Sequence, residues 1–276
     1  MSHSLSYLPN CSLLFTEVPL LDRPAAARAA GFDAIELWWP FPTPVPSDGE
    51  VDALVAAINA AGVTLVGLNF FAGDLAGPDA GVLSIPDRAQ EFADNIDIAV
   101  GIGDRLGVQA FNALYGNRVA GVTPEQQDEI ATQQLVDASA AAARIGATVL
   151  VEPVSGPKPY PLRTAADAVA VVDRVRAAGA ANVGLLCDLY HLCANGDDIG
   201  AAITAFAAKV AHVQIADVPG RHEPGTGTLE FDRYLDQLEE LGYRGWVSLE
   251  YKPSTTTDDS LAWLPRSRRG ARTPSS

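Results

Sequence analysis

The chain has 276 residues, of which 48% are hydrophobic, and its formal net charge is −15. This length is sufficient for one large core, and single α/β barrels of about 250 residues are common. The acidic balance disfavours nucleic acid as the main partner, because binding its backbone requires clustered lysine and arginine, and it favours a cation as ligand.

The composition also bears on membranes and on the redox compartment. No apolar run is long enough to form a transmembrane helix, and the first residues, "MSHSLSYLPN", lack the pattern of a signal peptide. The cysteines are Cys11, Cys187 and Cys193, an odd and sparse set with no zinc-ligand spacing. We therefore expect no membrane association and a protein of the reducing cytoplasm with buried thiols.

A repeated pattern runs along the chain: an alanine-rich amphipathic segment, a glycine, and a short β-branched run that ends in a polar residue. "AINAAGVTLVGLN" and "AARIGATVLVEP" are examples. Each glycine is expected to end a helix in the left-handed conformation. These glycines are Gly31, Gly62, Gly107, Gly146, Gly179 and Gly242. The predicted strands are residues 5–9, 33–38, 63–69, 108–113, 147–152, 183–188, 210–215 and 246–250.

Helices are predicted between these strands. The ranges are 17–30, 49–61, 86–106, 123–145, 164–178, 198–208 and 231–241, with a weak last helix at 258–264. Thr123 and Thr164 are the expected N-caps of two of them, and Pro124 fits the first helical position.

Eight β/α units predict a (β/α)8 TIM barrel of the α/β class, with its active site on the loops after the strands. The alternative is a doubly wound open sheet, but no Gly-x-Gly-x-x-Gly follows the first strand. We expect a single domain over residues 1–264. Residues 265–276 are basic, polar and without pattern, and they are predicted to be a disordered tail.

Polar residues at the carboxyl ends of the strands should converge on one cavity. They are Asn10, Glu36, Asn69, Asn112, Glu152, Asp188, Gln214 and Glu250. Three carboxylates after apolar strands would repel one another strongly unless a cation lay between them. Glutamate, aspartate and amide oxygens suit Mg²⁺ or Mn²⁺ better than zinc.

Other polar residues near this cavity have alternative interpretations. Glu36 and Asn112 are interpreted as hydrogen-bonding residues, and His212 as structural. His191, three residues beyond Asp188, is placed to reach the barrel mouth. Trp38 and its neighbour Trp39 either form an apolar wall over the substrate or pack against the rim.

Several segments resemble one family, the hydroxypyruvate isomerases. The segments are "VEP" at 151–153, "CDLYH" at 187–191, "HVQIAD" at 212–217, "EPGTG" at 223–227 and "EYKPSTTT" at 250–257. That family belongs to the xylose-isomerase-like TIM barrels and is close to the 2-oxo-tetronate isomerases. The chain departs from it at "EPVS" and at "GPKPYP", where the family often has histidine, and these changes affect the substrate rim.

The resemblance implies a metal site and a reaction. The implied ligands are Glu152, Asp188, Gln214 and Glu250, and glutamine rather than histidine at 214 favours this branch over the ketose 3-epimerases. The implied reaction interconverts hydroxypyruvate and tartronate semialdehyde through an enediolate, with Glu152 and Glu250 as acid and base. The predicted substrate-binding residues are Trp38, Asn69, His191, Arg221 and Lys252, with either Arg221 or Lys252 meeting the substrate carboxylate.

Several alternatives stay open. A 2-oxo-tetronate isomerase or a ketose 3-epimerase would use the same proton chemistry. Four histidines and the acidic charge disfavour an apurinic endonuclease, and the presence of both glutamates disfavours a non-catalytic sugar-binding barrel. We expect a cytoplasmic enzyme of carbohydrate and glyoxylate metabolism. The metal, the substrate length and the oligomeric state, a homo-oligomer included, are not fixed by the sequence.

Overall fold

The predicted strands form one parallel sheet in the computed structural model, which describes residues 3–270. They are β1 Ser6–Pro9, β2 Ala34–Leu37, β3 Thr64–Asn69, β4 Ala110–Asn112, β5 Thr148–Val151, β6 Val183–Asp188, β7 Val210–Ile215 and β8 Trp246–Leu249. Each lies within its predicted range, because short apolar runs bounded by glycine mark the buried strands of a parallel sheet.

The sheet closes on itself. Its strand order is β1-β8-β7-β6-β5-β4-β3-β2, with every neighbour parallel. A parallel bridge between Asn10 and Glu36, reinforced by a 2.8 Å bond from the Cys11 N–H to the Glu36 carbonyl, joins β1 to β2. The prediction of a (β/α)8 TIM barrel is confirmed.

Helices cover the outside of this barrel. They are α1 Arg23–Ala30, α2 Asp48–Ala61, α3 Ala89–Leu106, α4 Pro124–Ala143, α5 Ala165–Ala177, α6 Leu189–Asn195, α7 Ile199–Phe206, α8 Phe231–Glu240 and α9 Thr257–Ser260. Thr123 and Thr164 cap α4 and α5 as predicted, each in a reciprocal capping box. The six predicted glycines all have positive φ.

Three helices differ from the prediction by more than three residues. The last one, predicted at 258–264, is the single turn Thr257–Ser260. The first begins at Arg23 rather than at residue 17, because Leu20–Asp22 forms a 3-10 turn before it. Helix α6 was not predicted. It follows β6 with no loop between them, since Asp188 ends the strand and also caps the helix. This junction places His191 in the first turn after the strand.

Alternation along the strands separates a dry interior from a polar mouth. Leu150 and Leu186 belong to a small apolar cluster inside the barrel, distinct from the main core. Side chains two residues apart on a strand share a face. Glu152 and Asp188 therefore point into the same interior one layer higher, where the barrel opens.

The carboxyl-terminal segment extends the ordered barrel past residue 264. The side chains of Arg266 and Arg269 donate to the carbonyls of Ala29 and Ala30, at distances of 2.7 and 3.0 Å. These carbonyls belong to the last turn of α1 and lack helical partners. The segment is thus ordered to Gly270, and the rest of the predicted disordered tail, 271–276, lies outside the described residues.

No helix between residues 3 and 270 has the length and hydrophobicity needed to cross a membrane. A cytoplasmic location stays a prediction.

Candidate metal centre and active site

Four buried side chains meet where β5, β6 and β8 end. Each offers one ligand atom, and these atoms all lie within 4.8 Å of one another. They are Glu152, Asp188, His191 and Glu250. Gln214, on β7, pairs in register with Asp188 and lies beside Glu250. The four residues predicted as metal ligands are thus brought together at the mouth of the barrel.

Two buried oxygens in this group receive no hydrogen bond from any residue in the described part of the chain. Asp188 Oδ1 accepts from the N–H groups of Tyr190 and His191 at 2.8 and 3.2 Å, whereas its Oδ2 has no partner. The Gln214 Oε1 is equally unpartnered. Buried acceptors are rarely left unpaired, because losing water costs free energy that nothing then replaces. A cation would satisfy both oxygens.

Glu36 fixes the orientation of the Gln214 amide. Gln214 Nε2 donates to Glu36 Oε1 at 2.6 Å and to Glu250 Oε1 at 3.1 Å, so its oxygen is the atom left for a ligand. Glu36 also bonds to Asn10 and His212, at 2.8 and 2.6 Å. Burial opposes its charge most strongly, but the charge and hydrogen bond of His212 and the bonds from Gln214 and Asn10 hold its pKa below the usual value.

The two predicted acid/base glutamates have different surroundings. Glu152 accepts one bond, from Asn112 Nδ2 at 2.7 Å. Glu250 accepts from Trp38 Nε1 at 2.8 Å and Asn10 Nδ2 at 3.2 Å, in addition to Gln214, and its other oxygen pairs with Arg221. Each donor stabilises the ionised form. Glu152 is therefore the glutamate with the greater affinity for a proton.

The carboxyl groups of the cluster resist ionisation. Burial, then the charges of Glu250 and Asp188, raises the pKa of Glu152 well above its usual value. Burial and the charge of Glu250 raise the pKa of Asp188 to about 7. Burial also raises the pKa of Glu250, although Arg221 opposes this. Repulsion of this kind, together with two unpaired oxygens, means that the donor set fits a metal ion.

His191 is arranged as a hydrogen-bond donor to the cavity. Its Nδ1 accepts from the Ser155 backbone N–H at 3.0 Å, and burial, then the charges of Arg221 and Arg163, lowers its pKa well below the usual value. The neutral ring therefore carries its proton on Nε2. That nitrogen lies 3.6 Å from Asp188 Oδ2 and 3.9 Å from Glu152 Oε1, so its N–H faces the cluster.

An aspartate that sequence reasoning missed organises the loop carrying Arg221. Asp217 is buried, and its carboxylate accepts four main-chain N–H groups at 2.8–3.0 Å. The donors are Val218, Gly225, Gly227 and Leu229. This loop holds Arg221 at a φ of 59°, with its guanidinium 5.3 Å from the centre of the Tyr190 ring. The sequence signal for Asp217 is that it follows β7 as the last residue of "HVQIAD".

A cavity of about 200 Å³ opens above the cluster. Trp38 and Asn69, both predicted to bind substrate, lie in its wall with Glu152, His191, Arg221 and Glu250. The remaining wall is largely apolar and includes Leu75, Leu114, Val154 and Tyr160. Trp39 lies outside the wall: its ring packs edge-on against Phe41 and its Nε1 donates to the Thr43 carbonyl.

The lysine in the wall of this cavity is not the one that was predicted. Lys252, predicted as a substrate-binding residue, is exposed and absent from the cavity wall. Its main chain bonds to the Arg221 carbonyl and to the His222 ring. Lys158, which sequence reasoning did not select, lines the cavity. It lies within "GPKPYP", the segment that departs from the resembled family.

The stabilisation that a metal ion gives the protein is expected to grow with pH. The folded state of the metal-free protein holds protons on Asp188 and Glu152 more tightly than the unfolded chain does. Their contribution to stability is therefore present below about pH 4, and the part that comes from Asp188 is lost as the pH rises through about 7. A bound cation needs these groups ionised. The stabilisation that it gives is therefore greatest at the pH values where the metal-free protein has lost their contribution.

Thermal melts of chelated and Mn²⁺-loaded protein between about pH 5 and pH 8 check this expectation. The difference between the two melting temperatures should widen with pH, and Asp188→Asn should flatten its slope. His191 does not affect this comparison, because its contribution is common to both samples. A difference that is constant or narrows with pH would count against ligation by these carboxylates.

Comparisons with known proteins agree with this architecture. Residues 24–267 match the family model described as xylose isomerase-like TIM barrel. A Streptomyces coelicolor protein provisionally named a hydroxypyruvate isomerase is 55% identical, over 95% of this chain and 96% of its own. Escherichia coli hydroxypyruvate isomerase is 33% identical over 94% and 98%, and Cupriavidus necator 2-oxo-tetronate isomerase is 32% identical over 94% and 96%.

Among solved structures, the chain is similar to a Brucella melitensis protein described as an AP endonuclease of family 2. The TM-score is 0.85 and the sequences are 34% identical, over 94% of this chain and 98% of that one.

Proposed function

The chain belongs to the xylose isomerase-like TIM barrel family and, within it, to the hydroxypyruvate isomerase group, and we propose that this isomerase interconverts hydroxypyruvate and tartronate semialdehyde. The observation that carries the proposal is a pair of buried glutamates, Glu152 and Glu250, whose oxygens border one cation site at the floor of the cavity. The relative that is 55% identical supports the same reaction.

We assign the cation site to Mg²⁺ or Mn²⁺. Glu152, Asp188, Gln214 and Glu250 would hold the ion through oxygen, the donor that these metals prefer. One divalent cation and the Arg221 guanidinium together carry as much positive charge as the three carboxylates carry negative. When bound, the ion would stabilise the negative charge that develops on the substrate oxygens.

The two glutamates supply the proton chemistry. Isomerisation of hydroxypyruvate removes a proton from the hydroxymethyl carbon, forms an enediolate, and returns a proton to the neighbouring carbon. Glu152 accepts fewer hydrogen bonds and is the better base, and Glu250, whose pKa burial also raises, can hold a proton as the acid. Glu152 can then take one proton from the first carbon while Glu250 delivers one to the second, and proton exchange with solvent returns both groups to their starting states.

His191 completes the site as an electrophile. Because Ser155 occupies its Nδ1, the Nε2–H is available to a substrate oxygen that becomes negative in the enediolate. A neutral donor adds no charge to the balanced cluster. Trp38, half-buried in the cavity wall, donates to Glu250 and so borders the same space.

Two other isomerase substrates are the alternatives. A 2-oxo-tetronate carries one more carbon, and the Cupriavidus necator relative is named for it. A ketose carries no carboxylate. DNA fits less well, because the cluster contains one histidine among the described residues and the chain carries a net charge of −15.

A substrate panel tests the proposal. Hydroxypyruvate, 2-oxo-tetronate and free ketoses would each be assayed with Mg²⁺, Mn²⁺ and Co²⁺, and again after exhaustive chelation. We expect hydroxypyruvate to give the highest kcat/KM, with activity lost on chelation and regained with metal. Turnover of ketoses alone would contradict the assignment, as would full activity and an unchanged melting temperature after chelation.

A further inference from the structure

Lys158 is a half-buried cation in the wall of the active-site cavity. It lies in the loop after β5, six residues beyond Glu152. Its Nζ donates to two main-chain carbonyls of the loop after β3, those of Leu75, at 3.4 Å, and Asp79. An ammonium group has three N–H donors, so one remains for a further acceptor.

No residue that the structure describes neutralises the charge of Lys158. Among residues 3–270, no carboxylate forms an ion pair with it. The nearest acidic residue in the cavity wall, Asp79, directs its carboxylate to Arg88 at 2.6 Å and offers Lys158 only its carbonyl. Carbonyl oxygens orient the ammonium group but carry no formal charge that would neutralise it.

Arg221, the other cationic side chain in the cavity wall, already has protein partners. Arg221 pairs with the Glu250 carboxylate, donates to the Glu250 carbonyl, and stacks on Tyr190. A substrate carboxylate at Arg221 would have to compete with Glu250, to which it would also lie close. Lys252 is exposed outside the cavity. A charged group in a partly apolar cavity calls for a counter-charge, and Lys158 is the cation there for which residues 3–270 supply none.

We propose that Lys158 binds the carboxylate of the substrate and is the residue that makes the enzyme specific for 2-oxo acids over neutral ketoses. This assignment rests on the proposed function, since it concerns the non-reacting end of the same substrate. The two carbonyls hold the ammonium in place before substrate arrives, which limits the entropy lost on binding. The third N–H then forms a charge-assisted hydrogen bond to the carboxylate.

The test uses substrate pairs that differ only in the carboxylate. Dihydroxyacetone is hydroxypyruvate with a hydroxymethyl group in place of the carboxylate, and erythrulose has the same relation to 2-oxo-tetronate. Steady-state constants would be measured for wild type, Lys158→Gln and Lys158→Arg. Lys252→Gln removes the rival cation, and Lys209→Gln is a matched control because Lys209 pairs with Asp173 on the outer surface.

Loss of one charge-assisted hydrogen bond should raise KM for the carboxylated substrate about 10- to 30-fold in Lys158→Gln. We expect kcat to change less than about threefold, and kcat/KM for the neutral partner to stay at its wild-type value. Lys158→Arg should recover most of the discrimination, and Lys209→Gln should match wild type.

Three results would overturn the assignment to Lys158. The first is an unchanged KM for the carboxylated substrate in Lys158→Gln. The second is an equal fall in kcat/KM for the carboxylated and neutral substrates, which would indicate a merely structural loop contact. The third is a rise in KM for the carboxylated substrate in Lys252→Gln instead of in Lys158→Gln. In each of these, wild-type turnover of hydroxypyruvate would leave the proposed function standing. If wild type turns over 2-oxo-tetronate but not hydroxypyruvate, the assignment of hydroxypyruvate as substrate fails. The role of Lys158 is then tested on 2-oxo-tetronate and erythrulose. A wild type that turns over hydroxypyruvate but does not discriminate within either pair contradicts the assignment to Lys158 and leaves the proposed function standing.

Discussion

Replacing either Glu152 or Glu250 with glutamine is expected to lower kcat by at least about 10³-fold. Each substitution removes a group that transfers a proton and also one anionic oxygen ligand of the cation site. Glutamine has the same shape but cannot accept a proton at neutral pH. The two losses should be similar and far from additive in the double variant, because the reaction needs both groups in one cycle.

The folded state should survive these substitutions. In the metal-free protein, burial and nearby carboxylates raise the pKa of Glu152 and of Glu250, so a neutral side chain removes the cost of ionising either group. We expect the melting temperature of each chelated variant at about pH 8 to equal or exceed that of chelated wild type. Metal should stabilise the variants less than it stabilises wild type.

Glu223→Gln provides a matched control. This carboxylate lies on the loop after β7, outside the cavity wall, and bonds to Ser254. Its replacement should leave kcat within about twofold of wild type. If Glu152→Gln or Glu250→Gln kept near-normal kcat while Glu223→Gln did the same, the scheme with two glutamates would be wrong.

The features that could be predicted from the sequence are those that depend on residues close together in the chain. Strand ends such as "TVLVE" and "VGLLCD" carry both the apolar run and the polar residue that follows it, and a barrel brings all such ends together. Thr123 and Thr164 cap helices through bonds to residues three positions away, which a short window contains. The barrel and the convergence of the acidic residues were therefore predictable.

Side-chain direction in the long loops was not predictable in this way. The sequence left both Arg221 and Lys252 as candidates, whereas the buried Asp217, through bonds to residues up to twelve positions later, organises the loop that places Arg221 in the cavity wall. Lys158 gave no signal because its partners, Leu75 and Asp79, lie about eighty residues earlier in the chain. Such contacts depend on which loops the closed barrel brings side by side.

The orientation of Gln214 is another long-range property, and it leads to the second large effect. Replacing Glu36 with methionine is expected to weaken Mn²⁺ binding about 100-fold, the upper range for partners of metal ligands. Gln214 Nε2 then loses its 2.6 Å acceptor, and the amide is free to turn its N–H groups toward the cation. A donor in that position repels the ion that the oxygen would have bound.

Glu36→Gln separates this orientation effect from the loss of a buried charge. Glutamine can keep an oxygen toward Gln214 while its amide nitrogen faces His212, so Mn²⁺ affinity should fall only a few-fold. Calorimetric titration of both variants with Mn²⁺ measures the difference, and kcat at saturating metal should stay within about tenfold of wild type. If methionine leaves His212 too poorly paired to fold, Glu36→Met/His212→Leu replaces the whole buried pair with apolar groups. Equal Mn²⁺ affinities for the methionine and glutamine variants would show that Glu36 does not act by orienting Gln214, and the unpaired Gln214 oxygen would then need another cause.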